Sequence, residues 1–132
     1  MEENKYIISG KRGSGKSTEI CRTALAIYRR TRICPVILTP WDYRQYIPLL
    51  QMVGANAIET EMILKSIVDI EHAVSNNRYG GYFDGRFSGR EEILVDDIDV
   101  CLEKFIKRKI NCFSFCDGLP WREMERADDD KG

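Results

Sequence analysis

Gly10-Lys11-Arg12-Gly13-Ser14-Gly15-Lys16-Ser17 sets a lysine and a hydroxyl directly behind three closely spaced glycines. Phosphate oxygens need several hydrogen-bond donors converging on one small volume, and a loop wrapped around them supplies successive backbone N–H groups. Glycine at positions 10, 13 and 15 permits unusual dihedrals and removes side chains that would block close approach. A helix beginning just after Gly15 aims its first N–H groups and its dipole at the same charge. Lys16 then reaches the outer phosphates, and the Ser17 hydroxyl is placed to ligate magnesium. Ser14 and Thr18 belong to the same binding set. Every fixed position of G-x-x-x-x-G-K-[ST] is met, and the motif stands between an apolar run and a helical run, which is the context it requires.

A second group of chemical interest lies about 80 residues on, where Asp96 and Asp97 follow Ile93-Leu94-Val95. A carboxylate at the C-terminal end of a buried strand beside a phosphate loop can hold magnesium, directly or through water. The acid next to it can orient or deprotonate an attacking nucleophile. Asp96 is accordingly the candidate metal ligand and Asp97 the candidate acid/base. The competing structural reading is a helix cap, open to Asp97 or Asp99.

These groups need an α/β frame to hold them. Tyr6-Ile7-Ile8-Ser9 reads as a buried strand ending at the glycine-rich loop. Thr18 to Arg30 reads as a helix, with Ile20, Ala24 and Ile27 on its apolar face and Arg22, Arg29 and Arg30 toward water. Ile33 to Thr39 reads as a strand, and Pro35 near its start predicts an edge position. Pro48 argues against one continuous helix from Trp41 to Met52. Ala57 to Ser75 reads as a helix with an apolar stripe of Ile63, Ile67, Ile70 and Val74. Asn56 and Glu59 form a capping-box pattern at its start. Ile93 to Val95 is a strand, Val100 to Lys109 a helix, and Asn111 to Cys116 a further strand. Strands alternating with helices predict a parallel sheet covered by helices on its faces.

Taken together, these segments resemble a P-loop NTPase, with a Walker A motif at Gly10–Ser17 and a Walker B motif at Ile93–Asp97. The extra strand read at Asn111 to Cys116 is similar to the division that includes AAA-type, RecA-type and viral packaging ATPases. The resemblance implies a three-layer fold with a central, mostly parallel sheet of about four to five strands flanked by helices. It also implies ATP or another nucleoside triphosphate with Mg2+, catalytic roles for Lys16 and Asp97, and nucleic acid or a protein as partner. Such domains act as oligomers, because the transition-state charge is met by an arginine from a neighbour. Members usually carry Glu after the Walker B aspartate, and this chain has the shorter Asp97. Ser114 or Asp117 falls where a polar sensor stands in that family.

A second resemblance is to thymidine kinases of the RecA-like type, carried by Gly15-Lys16-Ser17-Thr18-Glu19, Val36-Ile37-Leu38, Asp42-Tyr43-Arg44 and Phe115-Cys116-Asp117-Gly118. That family's Asp-Glu-x-Gln reads Asp96-Asp97-Ile98-Asp99 here, and no zinc-bearing lasso is found in the sequence. Three functions therefore stay open: an ATPase, a kinase-like phosphotransferase, and a nucleotide-binding interaction module without turnover.

The remaining sequence sets bounds. With 132 residues the chain suits one domain, read as residues 1–126 with a charged tail at 127–132. A net charge of -1 and a pI near 5.9 give no bulk drive toward nucleic acid or anionic membrane. The five cysteines are irregularly spaced without a CxxC pair, which fits buried thiols in a reducing compartment better than zinc. No signal peptide or membrane span is read, so the expected address is the cytoplasm of a cell or of a host infected by a virus. Arg78 to Arg90 mixes arginines, aromatics and glycines, a composition that suits either a base-stacking loop or aromatic packing on the sheet. Trp41, Tyr43 and Tyr46 are expected to pack, and His72 to lie on the surface.

Overall fold

The structure is a computed structural model that describes residues 5–7, 15–76, 81, 85, 89, 92–112 and 121–123. Strand β1 (Lys5–Ile7) pairs in parallel with β5 (Trp121–Glu123). Three further strands form a parallel sheet: β2 (Val36–Thr39), β3 (Ile67–Asp69) and β4 (Ile93–Val95), in the order β3-β2-β4. Around it run α1 (Lys16–Thr31), α2 (Tyr46–Met52), α3 (Ala57–Leu64), α4 (Ile70–Asn76) and α5 (Ile98–Ile106). The expected α/β class is present, with a small three-stranded parallel sheet flanked by helices.

Alternation along the strands sets the two faces. Ile37 and Ile67 are register partners and turn to one side, where they meet Ile20, Cys21, Ala24 and Leu25 of α1, Tyr46 and Leu50 of α2, and Ile63 of α3. Val36 and Val68 turn to the other side, against Ala73 of α4. Both faces of β2 and β3 are covered, which suits the apolar runs Val36-Ile37-Leu38 and Ile67-Val68.

β2 lies at the centre of its sheet, contrary to the edge position expected from Pro35. The strand begins one residue later, so the missing N–H of Pro35 falls outside the ladder. The ladder itself is intact on both sides. Ile37 N–H donates to Ser66 O at 3.0 Å, while Val36 N–H donates to Glu92 O at 3.1 Å and Asp96 N–H to Leu38 O at 2.9 Å.

The single helix expected from Ala57 to Ser75 is two helices with β3 between them. Its start is as read: Asn56 and Glu59 make the reciprocal capping box. The chain then leaves the helix at Lys65, and Ser66 N–H bonds Ile63 O at 2.9 Å. Ile67 and Val68 are adjacent, β-branched and both buried. A one-faced helix buries such a neighbouring pair poorly, whereas a strand covered on both sides buries it fully. The spacing of Ile63, Ile67 and Ile70 imitated a helical stripe.

Other boundaries moved less. After β2 the chain makes a short 3-10 turn at Tyr43–Gln45, capped by Asp42 Oδ1 accepting from Arg44 N–H at 2.8 Å. Pro48 then sits in the first turn of α2, where a missing N–H costs no helical bond. In α1 the predicted apolar face is buried and Arg22, Arg29 and Arg30 are exposed. Asn111 and Cys112 are not in a strand, and the rest of the strand read at Asn111 to Cys116 lies outside the described residues. So do Ser114, Asp117, the 127–132 tail and, apart from Gly81, Gly85 and Gly89, the Arg78–Arg90 loop. His72 is exposed, as expected. Among the described residues no helix is long and apolar enough to cross a membrane.

Candidate phosphate and metal site

Parallel strands bring their C-terminal ends to one edge of a sheet, and ligands of open α/β sheets bind beyond that edge. β2 and β4 are neighbours, so Thr39 and Asp96 end side by side. α1 begins at the same place. Its N-cap is Gly15, with φ 90°, a left-handed conformation that glycine adopts without steric cost. Lys16 and Ser17 open the helix, with Thr18 beside them in the first turn, half-buried. The first helical bond is Glu19 N–H to Gly15 O at 3.0 Å, so the preceding N–H groups point out of the helix end. Gly10, Gly13 and Ser14 lie outside the described residues.

The two sequence motifs meet in space. Ser17 Oγ donates to Asp96 Oδ2 at 2.7 Å, although 79 residues separate them. Lys16 Nζ is 3.8 Å from Asp97 Oδ1. Asp96 is 1% exposed, a burial that few carboxylates reach unless they are bonded. Burial pushes its pKa up, and the bonds from Ser17 and Tyr46 oppose that shift. A hydroxyl and a carboxylate oxygen at this separation are hard oxygen ligands of the kind magnesium takes, and a bound cation would compensate the buried charge. Ser17 and Asp96 therefore fit the metal that the motifs imply.

Sequence reasoning missed the groups that hold the two carboxylates. Tyr46, 1% exposed, donates its hydroxyl to Asp96 Oδ2 at 2.6 Å. Thr39 Oγ1 lies 2.5 Å from that same hydroxyl and accepts from Trp41 N–H at 3.1 Å. With Tyr46 donating to the carboxylate, Thr39 donates to Tyr46, and the donors run in one direction. They pass from Trp41 N–H to Thr39, from Thr39 to Tyr46, and from Tyr46 to Asp96. The indole of Trp41 serves the other acid, its Nε1–H donating to Asp97 Oδ2 at 2.8 Å. Lys104 lies 5.4 Å from the centre of the Trp41 ring and donates to Pro40 O at 2.6 Å. The packing role expected for Tyr46 is thus joined by a polar one. Tyr43, in contrast, is 51% exposed.

Asp97 does not act as a conventional helix cap. It occupies the N-cap position of α5, but its side chain makes no capping bond and its φ of 46° is left-handed. Its carboxylate turns instead toward Trp41 and Lys16. Two buried thiols border the site. Cys101 donates to Asp96 O at 3.3 Å, and burial together with the nearby aspartates pushes its pKa up to about 12. Burial and Asp96 do the same for Cys21, also to about 12.

The position of Thr39 and Trp41 had a signal in the sequence, because Thr39 ends a strand legible as an apolar run and Trp41 follows two residues on. Tyr46 had none, since its reach depends on the short turn at Tyr43–Gln45. No protein-family model, curated protein or solved structure matches this chain.

Proposed function

We propose that the chain is a magnesium-dependent, P-loop-type ATPase acting on nucleic acid or on a protein partner. The observation that carries the reading is the 2.7 Å bond between Ser17 and Asp96, which joins a phosphate-loop hydroxyl to a strand-end carboxylate. In this reading Lys16 and the first N–H groups of α1 bind the outer phosphates, with Gly10, Gly13, Ser14 and Gly15 as the rest of the cradle. Ser17 and Asp96 hold magnesium, which when bound neutralises charge on the phosphates. Asp97 orients a water and takes its proton as the water oxygen bonds to the terminal phosphorus. The bond from that phosphorus to the bridging oxygen breaks, giving ADP and phosphate. A cytoplasmic address and assembly with a second copy, which would lend an arginine, accompany the same reading.

One observation favours a second reading, a nucleotide-gated binding module without turnover. The Asp97 carboxylate is engaged by Trp41 at 2.8 Å, and its arm is shorter than that of glutamate. The experiment is ADP formation from MgATP by the native chain and by Lys16→Ala, with and without single-stranded and duplex DNA, and with binding followed in the same samples. Turnover by the native chain and none by Lys16→Ala supports the ATPase. Binding without ADP supports the module. ADP release that appears only with an added phosphate acceptor supports a kinase-like phosphotransferase.

A further inference from the structure

We propose that the turn from Thr39 to Tyr46 is a positioning element for the acid pair, in which Tyr46 fixes Asp96 toward Ser17 and Trp41 fixes Asp97 beside Lys16. The inference rests on the ATPase reading and deepens it, by naming residues outside both motifs that set the geometry of the site.

The geometry argues for positioning rather than plain packing. Asp96 Oδ2 accepts from Ser17 on one side at 2.7 Å and from Tyr46 on the other at 2.6 Å, so the carboxylate is aligned between α1 and α2. Tyr46 is itself held by Thr39, which is fully buried. Hydrogen bonds in such a directional chain polarise one another and restrain the last acceptor more than one bond would. Trp41 links the two acids, because its backbone N–H feeds the chain to Asp96 while its indole N–H bonds Asp97. A cation over an indole face is attracted by the ring, so Lys104 restrains the ring that carries this donor. Asp97 makes no capping bond to its own helix, so the indole of Trp41 is what fixes its carboxylate beside Lys16. Neither Tyr46 nor Trp41 is assigned contact with substrate; each acts through a carboxylate.

The test compares the native chain with Tyr46→Phe, Trp41→Phe and the exposed control Tyr43→Phe. Three quantities are read: the Mg2+ concentration for half-maximal ATP binding, the turnover number, and the melting temperature. Removing the donor that orients a metal-binding carboxylate typically costs about 10–100-fold in metal affinity. Tyr46→Phe is therefore expected to raise the half-saturating Mg2+ by at least about tenfold, with ATP binding in the absence of Mg2+ unchanged. Trp41→Phe is expected to lower turnover by about tenfold or more while leaving the Mg2+ requirement within about twofold, because its lost bond is to the other acid. Tyr43→Phe is expected to change nothing. If Tyr46→Phe does not fold, Thr39→Val removes the upstream link and is expected to shift the Mg2+ requirement in the same direction. Variants that melt lower but keep native Mg2+ dependence and turnover overturn the inference and leave the ATPase standing. A native chain that binds no MgATP overturns both, and one that binds without turnover overturns the role of Trp41 while the Mg2+ shift still decides that of Tyr46.

Discussion

Replacing Asp97 by Asn separates the chemistry of the site from its stability. The amide keeps an acceptor oxygen for Trp41 Nε1–H but cannot take a proton from water. Its bond to the indole becomes a neutral one, and the difference between a charged and a neutral acceptor is about 1 kcal/mol. The contact with Lys16, at 3.8 Å between side chains about one-fifth exposed, is worth at most about 1 kcal/mol. Asparagine, like the aspartate it replaces, tolerates a left-handed backbone, so the φ of 46° adds no further cost. The net destabilisation is then about 1–2 kcal/mol, or a fall in melting temperature of about 4–8 °C for a chain of this size. Turnover, by contrast, should fall by at least about 100-fold if Asp97 is the general base. The assay pairs a thermal melt with ADP formation at saturating MgATP, and with ATP binding, which should persist. Near-native turnover by Asp97→Asn refutes the role given to Asp97. A fall in melting temperature beyond about 10 °C refutes the bond accounting instead.

Two further predictions concern the frame. Asn56→Ala removes the acceptor that Glu59 N–H reaches at 2.8 Å and should cost about 1 kcal/mol in a urea titration, with unchanged ATP binding. The second concerns acid stability. Arg29 donates to Glu59 at 2.7 and 2.9 Å, and this pairing, with the Asn56 N–H, lowers the Glu59 pKa from 4.5 to about 2. A depressed carboxylate contributes stability that is present above its unfolded pKa and is lost as pH falls through the folded one. The stability gap between the native chain and Glu59→Gln should therefore be constant above about pH 5 and close between about pH 4.5 and 2, as urea titrations across that range would reveal; a gap independent of pH contradicts the pairing.

Placement with a local signature was legible in the sequence, and contacts made by tertiary folding were not. Lys16, Ser17, Asp96 and Asp97 could be named because each stands at a fixed place relative to a strand or helix end. Asn56 and Glu59 were legible for the same reason, since a capping box spans one turn. β3 was not, because isoleucines at positions 63, 67 and 70 satisfy a helical spacing, and only the joint burial of Ile67 and Val68 shows a strand covered on both faces. The central place of β2 was hidden by Pro35, whose disruptive effect depends on a one-residue difference in where the ladder begins. Tyr46 was read as packing because its hydrophobic ring does pack, and its hydroxyl finds Asp96 only once α2 is folded against α1 and the strand ends. Sequence distance, 50 residues in that case, carries no trace of such a bond.

The central claim is that Ser17 and Asp96 together make a magnesium site for a bound nucleoside triphosphate. Its most direct measurement is calorimetric binding of ATP to the native chain and to Asp96→Asn, each with and without Mg2+. The account predicts that Mg2+ tightens binding to the native chain by at least about tenfold and does so little or not at all for Asp96→Asn, which retains the weaker metal-free binding through Lys16 and the loop. Equal Mg2+ enhancement in both chains, or no saturable binding by the native chain, would contradict it.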